Sequence, residues 1–186
     1  MSTDRIWGSW NEVRVFTSRF GQLWNLLAAQ NVGTPEQRNN FGLSQRRCEI
    51  EMLWSLFCDA RPSVILEVGV AQGGTLAGWI HLASWDCTVI AIDRDLNDTR
   101  PRPGDPTPFY SGPLKMYEEG GGIRSLIAPH QRFFGINGWT HDDLTKAKLN
   151  QALDGRKIDW CFHDASHFHE DAYKDFCWLW PILRSS

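Results

Sequence analysis

Nowhere in these 186 residues do eighteen apolar residues follow one another, so no membrane-spanning helix is expected. The N-terminal MSTDRIWGSWNEV has no basic region leading into an apolar run, which argues against a targeting leader. No C-x-x-C pair occurs, so the usual zinc spacings are absent. The five cysteines (Cys48, Cys58, Cys87, Cys161, Cys177) are odd in number and widely spaced, most of them within apolar segments. They read as buried thiols in a reducing compartment. There is no basic stripe either: 19 Lys and Arg against 22 Asp and Glu, scattered along the chain, leave a formal charge of -3. Sequence-independent binding to nucleic-acid phosphates requires such a stripe, so nucleic acid is not a favoured partner. Internal repeats are lacking too. A soluble, intracellular, cytoplasmic protein is the expectation.

What is present is a core. At 42% hydrophobic residues the chain can fill one domain. Ser9 and Glu12 suit a capping box for a first helix with Val13, Phe16, Phe20, Leu23, Trp24 and Leu27 on one side. A second helix, from about Ser44 to Asp59, carries Ile50, Leu53, Trp54 and Phe57 at i, i+3, i+4 and i+7, and should stop before Pro62. Beyond it VILEVGV, TVIAIDRD, RFFGING and IDWCFHD read as strands. They alternate with helical patterns in TLAGWIHLA, HDDLTKAKLNQAL and EDAYKDFCWLWPIL. That alternation predicts an α/β fold, a mostly parallel sheet with helices on both faces. We divide the chain into an N-terminal helical segment, 1–60, packed on a ligand-binding domain, 61–186. Within the latter, 97–130 is a Pro/Gly-rich insertion, either disordered or a substrate-side lid holding Phe109, Tyr110, Leu114, Met116 and Tyr117.

In open parallel sheets, ligands bind where the first strand turns into its helix. Gly69, Gly73 and Gly74 occupy that turn and would let a ligand approach main-chain N–H groups near a helix N-terminus. Their spacing is G-x-x-x-G-G, not the dinucleotide G-x-G-x-x-G, and no GK[ST] follows, so a pyrophosphate ligand is not expected. Glu67 lies within the first strand and Asp93 ends the second, where a carboxylate would accept hydrogen bonds from ribose hydroxyls. The set suits a nucleoside bearing a cationic or zwitterionic group. The same glycines also read as plain punctuation, Glu67 as a helix cap, Trp139 as core, and Asp93 and Asp95 as solvated turn residues.

LEVGVAQGGT together with VIAIDRD resembles the cofactor motifs of class I S-adenosylmethionine (SAM)-dependent methyltransferases. IDWCFHDASHFHEDAYKDFCWLWPIL is similar to the D-x-x-H segment of the cephalosporin hydroxylase and macrolide sugar O-methyltransferase group. The resemblance runs from about Gln45 to Leu183. It implies a Rossmann-like fold and an O-methyltransferase acting on a hydroxyl of a small molecule, a sugar or natural product. A cofactor-binding module without transfer, or another reaction on the same cofactor, remains an alternative. By the resemblance, Glu67 and the turn Gly69 to Thr75, with Gly73 and Gly74, would hold the methionine part of SAM. Asp93 would hold the ribose, and Asn137, Gly138 and Trp139 would flank the adenine. Asp164 and His167 would carry the chemistry, His167 as base and Asp164 as orienter or ligand of a divalent cation such as Mg2+. His163 and His169 read as a packed and a solvated side chain, or as ligands of a transition metal.

Members of that group continue past the helix near Leu183 into further strands, whereas this sequence stops at LRSS. A sheet ordered 3-2-1-4 would then leave DWCFH as an exposed apolar edge, which invites pairing with another chain. The expectation is a homo-oligomer, or a fragment of a longer protein.

Overall fold

A computed structural model describes residues 20–28, 43, 45–71, 73–94, 96 and 123–185. The capping box at Ser9, most of the 97–130 insertion with its five named apolar residues, and Asp95 lie outside them.

Helix α1 (Gly21–Ala28) and helix α2 (Arg47–Ala60) come first, then β1 (Val64–Val68), α3 (Gly74–Leu82), β2 (Thr88–Asp93) and the single turn α4 (Ile123–Leu126). After these come β3 (Arg132–Asn137), α5 (Asp143–Leu153), β4 (Trp160–His163), α6 (His169–Leu179) and a 3-10 turn, Trp180–Ile182. All strand pairs are parallel, as the alternation of patterns predicts, and the order is β3-β2-β1-β4, as the resemblance implies. Helix α2 ends where Pro62 requires it to: Arg61 leaves the helical region for a left-handed φ of 47°, and its N–H closes on the Phe57 carbonyl at 3.0 Å.

The sheet is apolar on both faces because helices cover both. Every residue of β1 is buried. Its period-two alternation sends Val64, Leu66 and Val68 to one core with Ile90, Ile92, Ile136, Leu149 and Leu179. Ile65 faces the other core, built on α1, α2 and α3 from Phe20, Leu27, Ile50, Trp54, Phe57 and Trp79. Trp79 is its hub, with ring centroids 5.1 Å from Phe57, 5.7 Å from Trp160 and 5.5 Å from Phe162. The N-terminal helices thus share one hydrophobic cluster with the sheet. The end of the insertion joins it too: Ile123 is fully buried there, and Leu126 and Ile127 pack against it.

One expectation needs correction. Cys48 and Cys177 are exposed, since they sit on the outward faces of α2 and α6; Cys87 alone is fully buried. Burial pushes the Cys87 and Cys161 thiols up to about 12, which leaves both inert near neutral pH. The β4 segment is the edge strand of the sheet, as expected. Its residues are half-buried, and at its foot the Ile158 N–H reaches the Ile182 carbonyl at 3.0 Å while the Arg184 N–H reaches the Ile158 carbonyl at 2.9 Å. Leu183 therefore runs parallel to Ile158. No helix among the described residues is long and apolar enough to cross a membrane.

Candidate functional site

The chain turns toward one sheet edge after β1 and toward the other before β4, so β1 and β4 bracket the point where the strand order reverses. Beyond their carboxyl ends lies a cleft of about 450 Å³. Of the residues singled out in the sequence, Gly69, Asp93, Trp139, Asp164 and His167 line it, as does Gly138.

Gly69 is at the crossing. Its φ is +83°, and a Cβ there would stand 2.3 Å from the Asp164 carbonyl oxygen and 2.6 Å from the Ala165 Cα. Only glycine lets the tips of β1 and β4 come this close. Asp93 secures the same turn from the β2 side: its Oδ2 accepts hydrogen bonds from the Val70 N–H at 2.7 Å and the Ala71 N–H at 3.1 Å. Ala71 is held in a left-handed conformation, φ 47°, that a side chain adopts at a cost of about 1 kcal/mol, so the clamp opposes a real strain. Sequence reasoning gave Asp93 to a ribose; in the structure its Oδ2 is engaged by the turn that walls the cleft. Replacing Asp93 with alanine is expected to weaken S-adenosylhomocysteine (SAH) binding by about 2 kcal/mol, the scale of hydrogen bonds to a charged group. Asp93→Asn keeps an acceptor oxygen for the turn and should lose less; calorimetry of the two variants checks both.

Glu67, Gly73, Gly74, Thr75 and Asn137 are not among the residues lining the cleft. Strand alternation puts Glu67 on the α3 side, fully buried, where Thr75 Oγ1 donates to its Oε1 at 2.7 Å. Gly73, φ 82°, caps α3, and Gly74 opens that helix. This group ties β1 to α3 under the turn. Burial, with the charges of Asp164 and Asp93, raises the Glu67 carboxyl well above its ordinary value, outweighing the hydrogen bond from Thr75. A raised acid holds its proton in the folded chain at pH values where the unfolded chain has lost it. Stability from this group is therefore full below the ordinary value of 4.5 and falls as pH rises through the raised one. Urea titrations from pH 5 upward should show that decline, and Glu67→Gln should flatten it.

At the β4 tip, Asp164 is held by two side chains. Gln45, 119 residues earlier, donates from Nε2 to its Oδ2 at 2.9 Å, and His167 Nε2 lies 3.3 Å from its Oδ1. No local pattern announces the Gln45 contact; it exists only because the segment before α2 passes over the β4 tip. Ser166 donates to Asp171 Oδ2 at 2.8 Å and its oxygen accepts the Phe168 N–H at 3.3 Å, which fixes the loop into α6.

Below the cleft, His163 Nε2 meets Asp175 Oδ2 at 2.8 Å, joining β4 to α6. Burial works to raise the Asp175 carboxyl, but polar neighbours, His163 first among them, prevail and hold it below the usual carboxylate range. His169 instead stacks on Tyr173, 6.2 Å between centroids. Among the described residues no three His, Cys, Asp or Glu side chains gather to hold a metal ion. Asp164 has an amide and an imidazole as neighbours, not a second carboxylate, so these residues do not fit Mg2+ and no chemical step is assigned to it.

On the opposite rim Trp139 is 46% exposed, with the Arg94 guanidinium 5.0 Å above its ring and His141 at 5.7 Å. It is a surface platform, not core. Gly138 beside it has φ 152°, and a Cβ would lie 2.3 Å from Thr145 Oγ1 on α5. Arg94, His141, Phe168 and Asp171 also face the cleft and were not singled out in the sequence, where each is an ordinary polar or aromatic residue in a loop or a helix start.

No protein-family model and no curated protein sequence matches the chain. Solved structures do. The chain is similar to the O-methyltransferase TomG from Streptomyces achromogenes, solved with SAM, at 15% identity and a TM-score of 0.50 over 91% of this chain and 60% of that one. It is also similar to a methyltransferase from Geobacter sulfurreducens (16% identity, TM-score 0.49, 98% and 73% covered). A third is an O-methyltransferase from Bacillus cereus solved with SAH (15%, 0.47, 98% and 66%). The chain spans about 60% of the length of TomG. At such identity the likeness shows the fold, a Rossmann-like parallel sheet.

Proposed function

We propose that this protein binds SAM in the cleft and is a methyltransferase acting on a hydroxyl of a small molecule. One observation carries the reading: a glycine turn after β1, clamped by the carboxylate that ends β2, forms the wall of a cleft at the strand-order reversal. That wall suits an adenosyl group without phosphates. The solved relatives bound to SAM or SAH lend the same direction.

When bound, SAM would supply an electrophilic methyl group on a sulfonium. The chain's own residues would do the rest. Asp93 would take the ribose hydroxyls while keeping the turn, and the exposed Trp139 face would receive the adenine. His167, oriented by Asp164, would accept the proton of the acceptor hydroxyl as the new C–O bond forms and the C–S bond breaks.

Calorimetry with SAH tests the cofactor reading: a single binding event is expected, and none at millimolar ligand would overturn it. Radiolabelled methyl transfer to a panel of hydroxylated sugars and phenols, with and without magnesium, then tests the activity. A protein that binds SAH and transfers to none of them would be a cofactor-binding module.

A further inference from the structure

We propose that the β4–α6 half of the cleft is an acceptor subsite for a hydroxylated ring that carries no anionic group, neutral or cationic, with Phe168 as its platform. The inference rests on the methyltransferase reading above and names the substrate class of the same site.

Phe168 is 78% exposed although it lines the cleft. A phenyl ring left in water beside a concave polar wall is the informative kind of exposed apolar surface. Its backbone is anchored: the Phe168 N–H bonds to Ser166 Oγ, which itself donates to Asp171. The ring follows His167 directly, so a molecule stacked on it would lie beside the proposed proton acceptor. Trp139, the other exposed aromatic of the cleft, stands on the far rim at the end of β3, in the half assigned to the cofactor.

Charge sets the class. Among the described residues of the β4–α6 half, Asp164, Asp171 and Asp175 line the cleft and no lysine or arginine does. Even with His163 and His167 both protonated, one negative charge remains. A wall of one sign concentrates its field, so a phosphate or carboxylate on an acceptor lying against it would be repelled as it lost water. An ammonium would be attracted, both by the carboxylates and by the face of Phe168. A neutral ring would pay no penalty and stack.

The experiment uses the full chain saturated with SAH and two matched series read by saturation-transfer NMR and calorimetry. Catechol, dopamine and protocatechuate form an aromatic series that is neutral, cationic and anionic. Methyl glucoside, glucosamine and glucuronate repeat those charges on a sugar ring and tell which kind of ring is preferred. The neutral and cationic members of at least one series should bind about tenfold tighter than the anionic member. Phe168→Ala should weaken them by about tenfold with the SAH affinity unchanged, and Asp171→Asn should narrow the gap to the anionic member. Equal or tighter binding of the anionic members, no effect of Phe168→Ala, or no binding by any member overturns the inference while the cofactor reading stands. Absence of SAH binding removes both.

Discussion

Gly69→Ala should lower the stability of the chain by about 3 kcal/mol and abolish measurable SAH binding. Two costs add at this position. The left-handed φ of +83° is strained for any residue with a side chain, by about 1–2 kcal/mol. The new methyl group would also stand 2.3 Å from a backbone oxygen, the Asp164 carbonyl. No rotamer relieves that contact, because the obstacle is main chain, and the tips of β1 and β4 would have to part. The cleft lies between those tips, so binding should suffer more than stability. Gly155→Ala supplies the control. Its φ of 76° brings the same kind of backbone strain, but nothing lies within 4 Å of an added Cβ. It should cost about 1 kcal/mol and leave SAH affinity unchanged. Urea denaturation and calorimetry on the pair isolate the crossing contact. Equal losses in the two variants would show that the β1–β4 approach has no bearing on the cleft.

His167→Ala should reduce methyl transfer by about a hundredfold while SAH affinity and the urea midpoint stay at wild-type values. The side chain is 85% exposed, so its removal leaves no cavity and breaks no packing. What disappears is the imidazole held 3.3 Å from Asp164 Oδ1, and with it the group that would receive the acceptor's proton. Positioned general bases contribute about a hundredfold to ten-thousandfold, and an exposed one belongs at the lower end. Asp164→Asn should fall between His167→Ala and wild type, because the base remains but its orientation is lost. Unchanged turnover in His167→Ala would take the base role away from it.

The lessons of the glycine turn and of Asp164 differ. Gly69 was legible because a glycine after a buried strand has few reasons to be there; parallel pairing followed from the alternating patterns, and the strand order 3-2-1-4 from the family resemblance. Asp93 was legible by its place at a strand end. Its grip on the Val70 and Ala71 N–H groups was not, since nothing in VIAIDRD specifies how far the neighbouring turn bends back. Glu67 shows the reverse. A carboxylate among apolar residues stands out in sequence, yet the period of two places it on the α3 side with Thr75, away from the cleft.

By itself the sequence determined the elements, their parallel pairing and the tips at which a ligand would be received, because hydrophobic periodicity and glycine placement are local properties of the chain. Tertiary structure alone decided which side chains meet at those tips. Gln45 reaches Asp164 across 119 positions, Phe168 comes to the mouth of the cleft, and Cys48 and Cys177 face outward. Such meetings depend on how helices settle against the two faces of the sheet, and that is set by the summed packing of Trp79, Trp54 and their neighbours, not by any short run of residues.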